Sequence, residues 1–227
     1  MAFFHSPNIV TDGLVLCLDA ADKTSYSGSI HGGTIATWTD LSGNGNNGTI
    51  DSDVTFNSGS GGFLDFDGNT DNSVVIGDLG TNHPDWTVSC WWVSDTTNEN
   101  SMFYLSSNKG QGFTVWSSSN MAYYVTKSGV ATHTGTSHAW STGRWYHLTL
   151  NHTSSTNVML IYINGVQVDS DTIDNIAAHE EFDEVVIGTG AYGVWDGRIA
   201  NFNIWSRVLT AKEVLGNFNA QRTRFGA

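Results

Sequence analysis

A chain of 227 residues fits one large domain as readily as two small ones, and it is long enough to bury a core that needs neither metal nor disulfide. Its formal net charge of −13, with only nine Lys and Arg, repels nucleic-acid backbones and anionic membranes and excludes both as partners. No stretch approaches the about 20 apolar residues of a membrane span, and the opening MAFFHSPNIVTDG lacks the basic start and apolar length of a signal peptide.

Taken in chain order, residues 1–11 read as an N-terminal arm. Leu14, Leu16 and Leu18 then alternate with Val15, Cys17 and Asp19, the period-two pattern of a strand. A loop rich in Asn and Gly follows over residues 40–49. Strands are expected at 63–66 and 73–76. Trp86, Val88, Cys90 and Trp92 alternate with Thr87, Ser89 and Trp91. Further strands are expected at 102–105, 113–116 and 121–126, and Tyr146, Leu148 and Leu150 mark another. VMLIYI-NG-VQVDS is the clearest hairpin, because Asn164-Gly165 supplies the positive φ angles of a type I′ turn. Two more strands follow at 185–187 and 199–205, where Ile199, Phe202 and Ile204 change phase and predict a β-bulge near Asn201. Thr210-Ala-Lys-Glu213 is a capping-box signature that opens a helix of two to three turns over 214–220. Residues 222–227 are left as a C-terminal tail. The expected architecture is all-β: an antiparallel two-sheet jelly-roll sandwich over residues 12–221, with one short C-terminal helix. Cys17 and Cys90 read as buried free thiols, with a disulfide between them as the alternative.

The loop around Asp40, Asn44 and Asn46 carries hard oxygen ligands suited to calcium, with Asp67 as a further candidate metal ligand. No bidentate Glu closes the loop, and the alternative is a polar turn in which Asn side chains cap backbone amides. Asp65 and Asp67 share one strand face about 6.5–7 Å apart, within the about 5–9.5 Å that paired glycosidase carboxylates need. The alternative is a solvated edge bracing the next turn through Asp71. The run His179-Glu180-Glu181-Phe182-Asp183-Glu184 reads as an acidic loop. Asp169, Asp171 and Asp174 read as a solvated strand end, with a cation site as the alternative. The histidines show no metal spacing, His147 and His152 fall on opposite faces of one strand, and no hydrolase or phosphate-binding motif is present. Trp116, Tyr123, Tyr124, Trp140, Tyr192 and Trp195 stand in or beside Ser-, Gly- and Asn-rich segments. Aromatic faces beside amides and hydroxyls suit sugar rings, which makes Trp116, Tyr123, Trp140, Tyr192 and Trp195 the candidate ligand-binding residues. The alternative is that each caps the core.

The ordered set DGLVLCLDA, WTDLSGNGNNGTI, FLDFDG, WTVSCWWV, GRWYHLTL, LIYINGVQV, VVIG and WDGRIANFNIWSRVLTAKEVLGNFNAQRTRFG resembles the laminin-G-like, concanavalin A-like lectin/glucanase superfamily. More narrowly, it is similar to jelly-roll domains of structural proteins of tailed phages, especially marine and cyanobacterial ones. The resemblance spans about residues 12–226. It implies a two-sheet jelly roll that binds glycans or partner proteins without catalysis. Relatives often hold calcium with an acidic residue where this chain has Ala200, and the Glu-x-Asp-x-Glu strand of the glucanases has no counterpart. The function expected is a virion surface protein (capsid decoration, head-fibre or tail-fibre module), present in multiple copies or as a homo-oligomer, made without a signal peptide. Its partners would be other virion proteins or cell-surface glycans. A free-standing lectin is the alternative, and a glycoside hydrolase using Asp65 and Asp67 a distant third.

Overall fold

The computed structural model describes residues 9–26, 36–70, 72–80, 83–106, 110–117, 120–127, 130–173 and 182–227. Asp71, Asp174 and the run 179–181 lie outside the described residues. The strands are β1 (Leu14–Asp19), β2 (Ala36–Trp38), β3 (Gly48–Ile50), β4 (Thr55–Asn57), β5 (Phe63–Asp67), β6 (Val74–Gly77), β7 (Trp86–Ser94), β8 (Asn100–Tyr104) and β9 (Gln111–Ser117). They continue as β10 (Asn120–Lys127), β11 (Val130–Thr136), β12 (Tyr146–Thr153), β13 (Val158–Ile163), β14 (Val166–Thr172), β15 (Val185–Ile187), β16 (Thr189–Gly190), β17 (Gly193–Val194) and β18 (Asp196–Trp205), and the helix α1 (Ala211–Phe225) closes the chain.

Two antiparallel eight-stranded sheets form the expected sandwich. One runs β14-β13-β12-β7-β18-β5-β4, with β1 also on β18, and the other runs β11-β10-β9-β8-β15-β6-β3-β2. The alternation read from the sequence decides what faces inward. Trp86, Val88, Cys90 and Trp92 of β7 join Leu148, Leu150, Phe103, Phe113, Met121 and Tyr123 in one core between the sheets. The long strand β18 pairs β5 through its first half and β1 through its second. Its register shifts between Ile199 and Asn201. That bulge keeps Ile199 and Phe202 in the core and turns Ala200 to the outer face. Asn164 and Gly165 both take positive φ, 53° and 78°, as the hairpin requires.

The helix is longer than the sequence suggested. Thr210 caps it in a full capping box, and it runs to Gly226, which ends it in the left-handed region at φ 66°. The polar stretch Gln-Arg-Thr-Arg hides its continuation, because Val214, Asn217, Phe218, Gln221 and Phe225 still recur at helical spacing and are buried. The helix lies on the outer face of the first sheet, where Phe218 and Phe225 stack on Trp91 at 5.6 and 4.2 Å. Arg222 and Arg224 therefore belong to its last turn rather than to a tail. Among the described residues no helix is long and apolar enough to cross a membrane. Both cysteines are free and buried.

Candidate functional site

On the second sheet, a bulge between Ser101 and Phe103 lets Met102 and Phe103 both enter the core. Tyr124, next to the inward Tyr123, points to the outer face. It lies over Gly112, its partner in β9, where a Cβ would meet the Tyr124 hydroxyl at 2.6 Å and the Phe103 carbonyl at 2.3 Å. The short hairpin β16–β17 settles on this ledge. The Ala191 amide donates to the Tyr124 hydroxyl at 3.0 Å, and the Tyr192 amide donates to the Ser101 hydroxyl at 3.0 Å. Gly190 makes the approach feasible, since a Cβ there would sit 2.4 Å from that of Ser101.

The hairpin thereby holds Tyr192 against two other rings. Tyr192 stands edge-on to Trp116 at 6.0 Å and 82°, and to Tyr124 at 5.1 Å and 81°. Trp116 falls where the register shifts between Asn120 and Met121, and such a bulge re-aims a side chain. Trp116 and Tyr192 are half-buried, whereas Tyr124 is fully buried beneath the hairpin. Burial, and then the nearby charge of Glu99, raise the Tyr192 hydroxyl above its usual range. Tyr104 is pushed up to about 12 by burial and by Glu184, which it hydrogen-bonds. Two perpendicular rings, open to solvent and flanked by carboxylates, make a rigid corner suited to a flat ligand.

Trp116 and Tyr192 are thus the two sequence candidates that the fold brings together. Tyr123, Trp140 and Trp195 are corrected to core residues. Tyr123 and Trp195 are 0% exposed and Trp140 is 3% exposed. Tyr123 donates to Gln111 Oε1 at 2.7 Å, and Trp140 and Trp195 pack edge-on against Trp92 at 5.7 and 5.8 Å. Sequence alternation could have separated Tyr123 from Tyr124, but it gives no sign of which faces a later hairpin covers. Gly112 and Gly190 escaped notice because their role is to leave room, and Ser101 because nothing in the sequence marks the distant Tyr192 amide that it accepts from.

The four candidate metal ligands do not converge. Asp40 Oδ1 accepts from the amides of Cys17 and Ser42, both at 2.9 Å, and Oδ2 accepts from the Ser42 hydroxyl at 2.7 Å and the Asn46 amide at 3.0 Å. The Asn44 and Asn46 side-chain amides donate to the Val15 carbonyl at 3.1 and 2.9 Å. The loop is thus a brace against β1. Asp67 lies beside Asp196, while Cys17 pairs with Asn203, seven residues and so about 23 Å along β18. Asp67 accepts from the Asn69 amide at 3.0 Å and from the Asn72 side chain, tying down the following turn. Burial raises Asp65 against the opposing pull of Arg198, and burial followed by Asp95 and Asp67 raises Asp196. Among the described residues no three His, Cys, Asp or Glu side chains form a metal-holding group.

A family model described as the concanavalin A-like lectin/glucanases superfamily matches residues 66–215. No curated protein matches the chain. Among solved structures it is similar to the binding domain of Paraclostridial Mosquitocidal Protein 1, at 21% identity and TM-score 0.72, covering 92% of this chain and 52% of that one. The binding domain of botulinum neurotoxin DC in complex with rat synaptotagmin II is similar at 15% identity and TM-score 0.71, over 93% and 52%. A structure of botulinum neurotoxin type C, whose cell entry depends on interaction with two ganglioside molecules, is similar at 15% identity and TM-score 0.69, over 93% and 52%. The chain spans about half the length of these structures, and the likeness is one of fold.

Proposed function

This chain belongs to the concanavalin A-like lectin/glucanases superfamily, and from that premise we propose that it is a non-catalytic adhesion module that binds surface glycans through the corner of Trp116 and Tyr192. The observation that carries this reading is that corner itself: two half-buried rings at 82°, held by backbone hydrogen bonds on a rigid sheet. Pre-organisation of this kind lowers the entropy cost of binding. The toxin structures of the same fold are described with protein and ganglioside receptors, which supports recognition over catalysis. Asp67, the best-placed glycosidase candidate, is occupied in bracing its own turn.

We place the module on a virion surface, in many copies; the resemblance of its sequence segments to phage structural proteins supports this, and a weak shallow site there gains from multivalency. Other virion proteins would then anchor it. The test of binding is a printed glycan array probed with the wild type, Trp116→Ala and Tyr192→Ala. Signal lost in both variants is expected, and signal unchanged in both overturns the site. The test of location is the protein content of purified particles. Absence from them leaves a free-standing lectin in place of the virion protein.

A further inference from the structure

We propose that the Trp116–Tyr192 corner selects uncharged glycans and rejects acidic ones, a deepening that rests on the glycan-binding reading above. The inference comes from where the charges sit. Glu99 precedes β8, is exposed, and acts on the Tyr192 hydroxyl through its charge. Its backbone carbonyl lies 3.8 Å from where a Cβ on Gly193 would stand, so it borders the hairpin directly. Glu184 hydrogen-bonds Tyr104, which pairs with Gly112, the partner of Tyr124. Two carboxylates therefore frame the aromatic ledge.

The cations whose side chains are described lie elsewhere. Arg207 pairs with Glu213 at 2.7 Å and Arg224 with Asp19 at 2.7 Å, both against the first sheet. Lys212 and Arg222 belong to the helix that covers that sheet. Arg144 stacks on Tyr146 of β12, and Arg198 of β18 is tied to Asp95 at 3.1 Å. Lys23 follows β1 of the same sheet. Lys127 ends β10, three residues and so about 10 Å along the strand from Tyr124. Among the cations whose side chains are described, none is thus placed to receive a carboxylate or sulfate on the ledge. A sugar acid would meet the charge of Glu99, while a neutral ring needs only apolar faces and hydroxyl partners.

The experiment is a glycan array of matched pairs, each neutral structure printed beside its sialylated, sulfated or uronate counterpart. It is probed with the wild type, Trp116→Ala and Glu99→Lys. Wild-type binding is expected on neutral members, lost in Trp116→Ala, and about tenfold weaker or more on their acidic counterparts, as one like charge at close range implies. Glu99→Lys is expected to shrink that ratio by about fivefold or more, and raising the salt concentration should also narrow it. Trp116-dependent binding of acidic members at full strength overturns this inference and leaves the adhesion reading intact. Absence of binding to either set overturns both.

Discussion

The backbone amide of Ala191 donates to the Tyr124 hydroxyl at 3.0 Å, which fastens the hairpin carrying Tyr192 to the sheet beneath it. Tyr124→Phe removes only that oxygen. The variant is expected to lose about 1 kcal/mol of stability, the usual net value of a hydrogen bond. Amide exchange at Ala191 and Tyr192 should accelerate several-fold, and glycan binding should weaken without loss of the fold. Unchanged exchange at both amides would show that the hairpin is held by its rings alone.

Arg224 closes the molecule. Its guanidinium meets Asp19 Oδ1 at 2.7 Å and donates to the carbonyls of Ser60 and Gly62, joining the helix end to β1 and to the turn before β5. Arg224→Ala should cost about 2–3 kcal/mol, since charge-assisted hydrogen bonds are worth more than neutral ones. Deleting residues 222–227 should cost more, because it also removes Phe225 from Trp91. Urea denaturation checks both. A deletion that leaves the midpoint unmoved would return the segment to the status of a loose tail.

Gly165→Val acts twice. The residue holds φ at 78°, and a Cβ there would meet Leu215 at 3.0 Å and Phe218 at 3.2 Å. Backbone strain alone costs about 1–3 kcal/mol, and the helix must also shift. A drop in melting temperature is expected, together with greater exposure of Trp91 to an external fluorescence quencher.

Acid should destabilise the fold before its carboxylates titrate. Burial lowers His147 from 6.5 to about 3 and His152 from 6.5 to about 4. Both stay neutral in the folded chain while the unfolded chain takes up protons below about pH 6.5. Stability is therefore fully present above that pH and falls as pH drops toward 4, by about 1.4 kcal/mol per pH unit for each histidine. Denaturation at pH 7.5 and 5.0 should show the loss, and a His147→Gln/His152→Gln variant should flatten it. Equal slopes in the two proteins would place the acid sensitivity elsewhere.

Asp40→Ala strips four donors of their acceptor. A loss of about 2–3 kcal/mol is expected, the scale of leaving buried polar groups unpaired. If the loop is a brace, the loss is the same with or without a chelator. A chelator effect in the wild type that vanishes in Asp40→Ala would make it a metal site.

Period-two alternation by itself determined the sandwich, because a strand with one buried face must alternate. Thus Trp86, Val88, Cys90 and Trp92 declare their core face through their spacing alone, as Asn164-Gly165 declares its turn and the phase change near Asn201 its bulge. What alternation could not reveal was the second layer laid over each sheet. Trp91 and Tyr124 both point outward, and both are buried, one beneath α1 and the other beneath the β16–β17 hairpin. Their covers come from segments far along the chain, and the complementarity lies in absences, at Gly112 and Gly190, that leave no periodic mark. For the same reason the sequence offered six aromatics as one undifferentiated set. Only the tertiary structure decided that Trp195, Trp140 and Tyr123 fill the core while Trp116 and Tyr192 reach solvent, because burial depends on what packs above a side chain as well as on which way its strand points it.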